Sequence, residues 1–341
     1  MRLAIAFAFV LAAFGAQAQS SDPFEKNIVT GGPKGTYIQI GRDIAKLGEV
    51  CGRQLNVVES AGSLENFAAV RNRPNTQFGI VQSDVLEYLK TYEAADQEIQ
   101  RAVRGVRIMF PLYNEEIHLI AKKEIATARD LAGRKVGVGK VDSGTYLTAT
   151  LVLDILRITN AERVTNSTDE DFEKLMAGEI DALFYVAGAP TKLFESDRID
   201  GEKFHLVPLD EGPLKATYVP ATLNADTYPF QKQPVNTVAV KAVLMTYDYR
   251  ERGNNYQRES CKAVSDFASF ILSNLDELKQ GGHPKWQSVD LTDLPPGWQV
   301  GECVKKGMAL EYKPACVAAA APAKAGEDEY LKLLKQRLKK N

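Results

Sequence analysis

Twice near the start of this chain an apolar strand runs through a tight turn of small residues into a helix, and a third strand follows at once. "NIVT" leads into "GGPKGT" and the helical spacing Tyr37, Ile40, Ile44, Ala45, Leu47; "QLNVVES" leads through Ala61-Gly62 into a helix from Ser63 to Asn72; "FGIVQSD" runs into Asp84-Val85-Leu86. Strand then helix, repeated, requires right-handed crossovers and so a parallel sheet with helices on both faces. Ligands of such sheets lie at the carboxyl ends of the strands, where all three turns fall. A second set of units follows "PLYNEEIHLIAKK", in which Ile117 to Ala121 reads as a strand. It comprises the strand "KVGVGK", the turn "VDSGTY", a helix from Thr145 to Leu156, the polar helix "DEDFEKLMAGE" and the strand "IDALFYVAG". "VNTVAVKAVLMT" suits a strand recrossing the molecule, and "YQRESCKAVSDFASFILSNLDELK" a long helix. The 341 residues exceed what one core usually holds. Two α/β lobes are therefore expected, joined by crossing strands near Phe110 to His118 and near Thr222 to Val240.

Residues 1–18 read as a signal peptide. Arg2 precedes an apolar run from Leu3 to Phe14, and Ala16-Gln17-Ala18 forms a small-x-small cleavage site, so the mature chain is expected to start near Gln19 in the periplasm. The run is short for a membrane span. With 42 basic and 44 acidic residues, nucleic acid is not an expected partner. Four cysteines in an exported chain, Cys51, Cys261, Cys303 and Cys316, make disulfides the expectation. Three pairings are possible. Closeness in a Pro/Gly-rich segment favours Cys303 with Cys316, leaving Cys51 with Cys261. No CxxC occurs, and His118, His205 and His283 lack ligand-like spacing, so neither a metal nor a cofactor is expected.

The turns define a candidate site. Gly32, Gly35 and Thr36 open one helix, Gly62 and Ser63 a second, and Ser143, Gly144 and Thr145 a third in the other half of the chain. Each hydroxyl has an ordinary use as a helix cap, and each glycine as a tight turn. Together, at strand carboxyl ends in both halves, they suit a cleft of N–H and O–H donors for a small carboxylate. Tyr37 and Tyr185 read either as core aromatics or as walls for a ligand's carbon skeleton. Gln82, Ser83 and Asp84 follow a buried strand, where Asp84 either caps the next helix or meets a ligand amino group. Lys34 is either a solvated turn residue or a contact for a second carboxylate. Catalysis has less support. "GGPKGT" fails the phosphate-loop pattern, no G-x-S-x-G elbow occurs, and Glu115-Glu116 beside His118 read as the start of a crossover strand.

Taken together, "TGGPKGTYIQIG", "VVESAGSLENFAAVRN", "FGIVQSD", "PLYNEEIHLIAK", "ARDLAGRKVGVGKVDSGT" and "AGEIDALFYVAGAP" resemble the solute receptors of the TAXI subclass of tripartite ATP-independent periplasmic (TRAP) transporters, over residues 27–285. Pro33-Lys34 and Ile38 depart from the family's usual residues. The resemblance implies a bilobal type II periplasmic-binding-protein fold with two mainly parallel sheets, flanking helices and a cleft between lobes. Lobe 1 would be residues 26–110 plus 233–285 and lobe 2 residues 111–232. Residues 286–341 would form an extension with a linker and a terminal helix, Tyr330 to Lys340. The implied role is binding of a small carboxylate or amino acid, glutamate-like or oxoacid ligands being favoured, and delivery to TRAP permease subunits in the membrane. The receptor is expected to be a monomer without catalytic residues, and Asn66 joins the implied ligand set. An exported α/β enzyme acting on a small carboxylated metabolite, or a ligand-presenting partner of a membrane sensor, are the alternatives.

Overall fold

The computed structural model describes residues 26–33, 35–314 and 316. The leader, Lys34 and the helix expected at Tyr330 to Lys340 lie outside the described residues. Ten strands form one continuous sheet: β1 (Asn27–Val29), β2 (Asn56–Val58), β3 (Thr76–Gln82), β4 (Val106–Lys122), β5 (Lys135–Gly137), β6 (Glu162–Val164), β7 (Ala182–Ala187), β8 (Phe204–Leu206), β9 (Val219–Leu223) and β10 (Val235–Tyr247). Their order is β2-β1-β3-β10-β4-β7-β5-β6, with β8 added to β4 and β9 to β10. Both flanks are parallel, β2-β1-β3 on one side and β7-β5-β6 on the other. Between them β10 runs antiparallel to β3 and β4, and β4 antiparallel to β7. We call the first flank with the helices on it lobe 1 and the second lobe 2; the long strands β4 and β10 run between them. Thr222 does not lie on a crossing strand as expected. It sits in β9, which pairs with β10 as its antiparallel neighbour.

Helices α1 (Thr36–Glu49), α2 (Ser63–Asn72), α3 (Val85–Tyr92) and α4 (Gln97–Gly105) surround the first flank; α5 (Gly144–Ile155), α6 (Thr168–Met176) and α7 (Gly212–Thr217) surround the second. The chain then adds α8 (Asn255–Ser273), α9 (Leu275–Gly281) and α10 (Glu302–Met308) to lobe 1. The apolar face of α1 buries Ile40 and Ile44 at 0% and 1% exposure, each contributing about 1.5–3 kcal/mol. No Cβ fits at Gly48, because it would lie 2.7 Å from the Phe267 ring of α8. The expected long helix over residues 256–279 breaks at Asn274, whose side-chain amide donates to the Phe270 carbonyl at 2.7 Å and satisfies a last-turn acceptor.

Both pairs of cysteines are bonded, but not in the favoured pairing: Cys51 joins Cys316, and Cys261 joins Cys303. Nearness in sequence misleads here because α10 folds back onto α8. The Ser265 hydroxyl of α8 donates to the Cys303 carbonyl at 2.7 Å, and Cys303 packs in the same core as Cys261. Trp286, Val289 and Val304 enter that core too, so this stretch beyond residue 285 is part of lobe 1's packing. Two ion pairs bring it to the crossing strands: Lys285 lies 3.6 Å from Glu116 of β4, and Asp293 lies 2.5 Å from Lys241 of β10. No helix among the described residues is long and apolar enough to cross a membrane.

Candidate functional site

The carboxyl ends of the parallel strands bring several of the sequence-predicted residues, Gly62, Ser63, Gln82, Asp84 and Gly144, together where the two flanks meet. Gly35 caps α1 with its backbone, and its N–H donates to the Gly32 carbonyl at 3.0 Å. The next two residues turn inward. Thr36 reaches the Tyr113 hydroxyl, while the buried Tyr37 donates its hydroxyl to Glu115 Oε2 at 2.9 Å. Gly62 holds φ at 128°, a conformation that favours glycine. A side chain there would also lie 3.1 Å from the Gly144 amide of lobe 2. Reciprocally, a side chain on Gly144 would lie 2.8 Å from Ser63 Oγ. The two glycine turns, 82 positions apart by residue number, therefore meet across the lobe boundary.

That meeting is hydrogen-bonded. The Asp142 carbonyl of the β5–α5 loop accepts from the Leu64 and Glu65 amides at 3.2 and 3.4 Å, occupying first-turn donors of α2. The Thr148 hydroxyl of α5 lies 2.9 Å from Asp84 Oδ2 and 3.1 Å from Gln82 Oε1. The Tyr218 hydroxyl donates to the same Asp84 oxygen at 3.0 Å. Asp84 is thus engaged by lobe 2. Burial pushes its carboxyl up to about 6 against the lowering effect of those two hydroxyls.

Several predicted residues are held by their own lobe. Ser63 Oγ accepts from the Gln82 amide at 3.0 Å and does not cap α2. Asn66 is fully buried, and its side-chain amide donates to the Thr30 and Ile80 carbonyls at 2.5 and 2.7 Å, tying α2 to β1 and β3. Ser83 uses its backbone: its amide donates to Lys241, and its carbonyl accepts the Trp298 indole N–H at 2.9 Å. Ser143 caps α5, accepting from the Tyr146 amide at 3.1 Å. The Thr145 hydroxyl accepts from the Val186 amide at 3.2 Å. Tyr185 is half-buried on β7 opposite His118 of β4. His118 itself is enclosed, its Nδ1 3.1 Å from the Tyr185 carbonyl and its Nε2 2.7 Å from the Tyr228 hydroxyl. Burial lowers that imidazole to about 4, so it is neutral at ordinary pH.

The residue that sequence reasoning passed over is Glu115. It sits on β4 at 4% exposure, with the Tyr113 hydroxyl 3.4 Å from Oε1 and Gln82 also bonded to it. Burial raises its carboxyl to about 8, although the hydrogen bonds from Tyr37 and Gln82 act in the opposite direction. A signal existed. Tyr113 and Glu115 alternate onto one face of β4, in line with the apolar Met109 and Pro111 and next to the run from Ile108 to Leu112, and an ionisable group on such a face is out of place. Thr148 was also findable, one helical turn beyond Gly144 on the same face of α5. No group of three or more metal-ligating side chains occurs among the described residues.

A model of the NMT1-like family matches residues 28–293. Among solved structures, the chain is similar to an amino acid ABC transporter substrate-binding protein from Streptococcus pneumoniae bound to L-arginine, at 15% identity over 83% of this chain and 96% of that one, with a TM-score of 0.41. It is similar also to a periplasmic sulfonate-binding protein from Methylobacillus flagellatus KT, at 13% identity over 86% and 82% of the two chains and a TM-score of 0.45. A histidine kinase sensor domain with similarity to periplasmic binding proteins matches at 13% identity, covering 79% of this chain and 99% of that chain, with a TM-score of 0.46.

Proposed function

We propose that this chain, which belongs to the NMT1-like family, is the solute receptor of a TAXI-type TRAP transporter. In the periplasm it would bind a small carboxylate or amino acid between lobes made of residues 26–110 with 233–285 and of residues 111–232, then deliver it as a monomer to the membrane permease. Ion-gradient coupling belongs to the permease. The observation that carries this reading is the meeting of helix starts from both lobes, α2 from one side and α5 from the other at Gly144 against Gly62 and Ser63. There the Asp142 carbonyl takes the Leu64 and Glu65 amides, on which a ligand carboxylate would replace it. Helix N-termini present backbone N–H groups and positive potential to an anion. A ligand that touches both sets rewards closure about β4 and β10, which is how a hinged receptor gains affinity. Glutamate-like and oxoacid ligands are favoured by the family resemblance carried by the glycine turns and "PLYNEEIHLIAK".

The test is a thermal-shift screen of organic acids and amino acids. A ligand at 100 times its dissociation constant adds about 2.7 kcal/mol of stability. A hit that is bound and recovered unchanged supports the reading. Turnover of the bound acid would overturn it in favour of an exported enzyme.

A further inference from the structure

The sequence offered Asp84 as the carboxylate for a ligand amino group, but Asp84 is taken up by Thr148 and Tyr218. A different carboxylate beside the same residues, Glu115, is buried without a partner among lobe 2's described hydroxyls. Glu115 is surrounded by neutral groups: the Tyr37 hydroxyl from α1, the Tyr113 hydroxyl from β4, and the Gln82 side chain from β3, with Tyr185 of β7 at electrostatic range. Its charged neighbours do not supply a counter-ion. Glu116 repels it, and Lys285 is 3.6 Å from Glu116 and over the Tyr113 ring. Among the described residues no cation forms an ion pair with Glu115. Its neighbours Tyr37 and Gln82 are residues that the sequence predicts to line the cleft, Thr36 bonds the adjacent Tyr113, and Gln82 also meets Thr148 of lobe 2.

We propose that Glu115 is the specificity-determining residue of this cleft, accepting the protonated amine of an amino acid whose carboxylate meets the helix starts. The assignment rests on the solute-receptor reading and adds a sign to it: the site selects a zwitterion and discriminates against the anion that lacks the amine. A carboxylate out of water among neutral donors is penalised until an opposite charge arrives beside it. The ligand's ammonium is that charge. A des-amino acid instead brings a second anion toward the same pocket, which costs affinity and so gives specificity.

Proton linkage supplies an independent readout. Glu115 titrates at about 8, so an ammonium ligand must expel its proton at lower pH. Amino-acid affinity therefore falls as pH drops, by roughly 25-fold from pH 8.5 to 6.5 for a group titrating there. An oxoacid shows the opposite slope, binding best while Glu115 is protonated. Asp84 titrates lower, at about 6, and the neutral His118 lower still.

The experiment is calorimetric titration of the exported chain with matched pairs, L-glutamate against 2-oxoglutarate and L-alanine against pyruvate, extended to the remaining amino acids, at pH 6.5 and 8.5. The expected result is at least a tenfold preference for the amine-bearing member, with the stated pH slope. In Glu115→Gln both the preference and the slope disappear. Tyr37→Phe keeps the carboxylate, so it retains the preference and moves the slope to higher pH. Tighter binding of the oxoacid, or equal weakening of both members in Glu115→Gln with the preference intact, overturns the assignment. Should Glu115→Gln fail to fold, the wild-type and Tyr37→Phe slopes decide, and a flat amino-acid profile overturns it. Gly35→Val separates the two levels: normal binding by that variant removes the cleft itself, whereas loss of both members with no amine preference in the wild type removes only the role of Glu115.

Discussion

The Asp84 carboxylate of lobe 1 and the Tyr218 hydroxyl of lobe 2 share a hydrogen bond of 3.0 Å across the lobe boundary. With Thr148 on the same oxygen, this makes Asp84 a latch whose partners both belong to the opposite lobe. Hydrogen bonds to a charged acceptor contribute about 1.5–3 kcal/mol. Tyr218→Phe should therefore shift the equilibrium toward separated lobes and weaken ligand binding by tenfold or more, about 1.4 kcal/mol. Calorimetry and small-angle scattering measure both effects. Unchanged affinity and unchanged compaction would remove the latch.

Gly144→Ala provides a sharper test of the same boundary. The added methyl would crowd the Gln82 side-chain amide and lie 2.8 Å from Ser63 Oγ, so these lobe 1 side chains must give way or the boundary must widen, while alanine at the start of α5 suits a helix better than glycine. The expected outcome is binding lost by at least tenfold with a melting temperature equal to or above that of the wild type. A variant that binds normally would show that the glycine turns meet without any role in closure.

Glu115 carries a stability signature separate from ligand binding. Its folded value of about 8 lies above the ordinary 4.5, so the native state holds a proton that the unfolded chain releases between those values. The associated stability is present below about pH 4.5 and is lost as pH rises through about 8. Glutamine resembles the protonated form at every pH. Glu115→Gln should accordingly melt close to the wild type at pH 5 and above it at pH 8.5. A difference independent of pH would place Glu115 in a more solvated setting.

Peptide mapping without reduction should recover Cys51 linked to Cys316 and Cys261 linked to Cys303. The second bridge closes a separation of 42 residues, for which chain entropy gives a stabilisation of about 4 kcal/mol. Cys303→Ala should lower the melting temperature markedly. Recovery of a Cys303–Cys316 peptide would restore the pairing that the sequence favoured.

Removing everything after residue 283 should prevent lobe 1 from folding, because Trp286 is fully buried and its indole N–H donates to Asp43 of α1 at 3.0 Å. Removing only Tyr330 to Lys340 should leave affinity unchanged. Soluble yield and calorimetry distinguish the two truncations.

Local pattern carried the sequence reading as far as local pattern reaches. Helix α2 begins and ends at the residues its spacing indicates, Ser63 and Asn72, and β1, β2 and β3 fall on the apolar runs. What the sequence concealed was set by packing between distant segments. Asp84 follows its strand as an ordinary capping residue would, and only the fold supplies Tyr218. Asn66 looked available, yet the carbonyls of Thr30 and Ile80 claim its amide. The cysteine pairing failed for the same reason, since the docking of α10 on α8 has no counterpart in spacing along the chain. Trp298, in a segment whose composition suggested a linker, reaches the carbonyl of Ser83 beside the cleft.

All four cysteines bond within lobe 1 and the segment docked on it, and neither bridge spans β4 and β10 to reach lobe 2. The molecule thus resembles a vice with one riveted jaw and one sliding jaw. The bridges restrain the unfolding of the riveted jaw, while its contact with the other rests on hydrogen bonds such as those of Thr148 and Tyr218 to Asp84. Reduction of the bridges therefore acts on one side of the boundary alone, and that side can be hardened against unfolding without adding a covalent tie to the other.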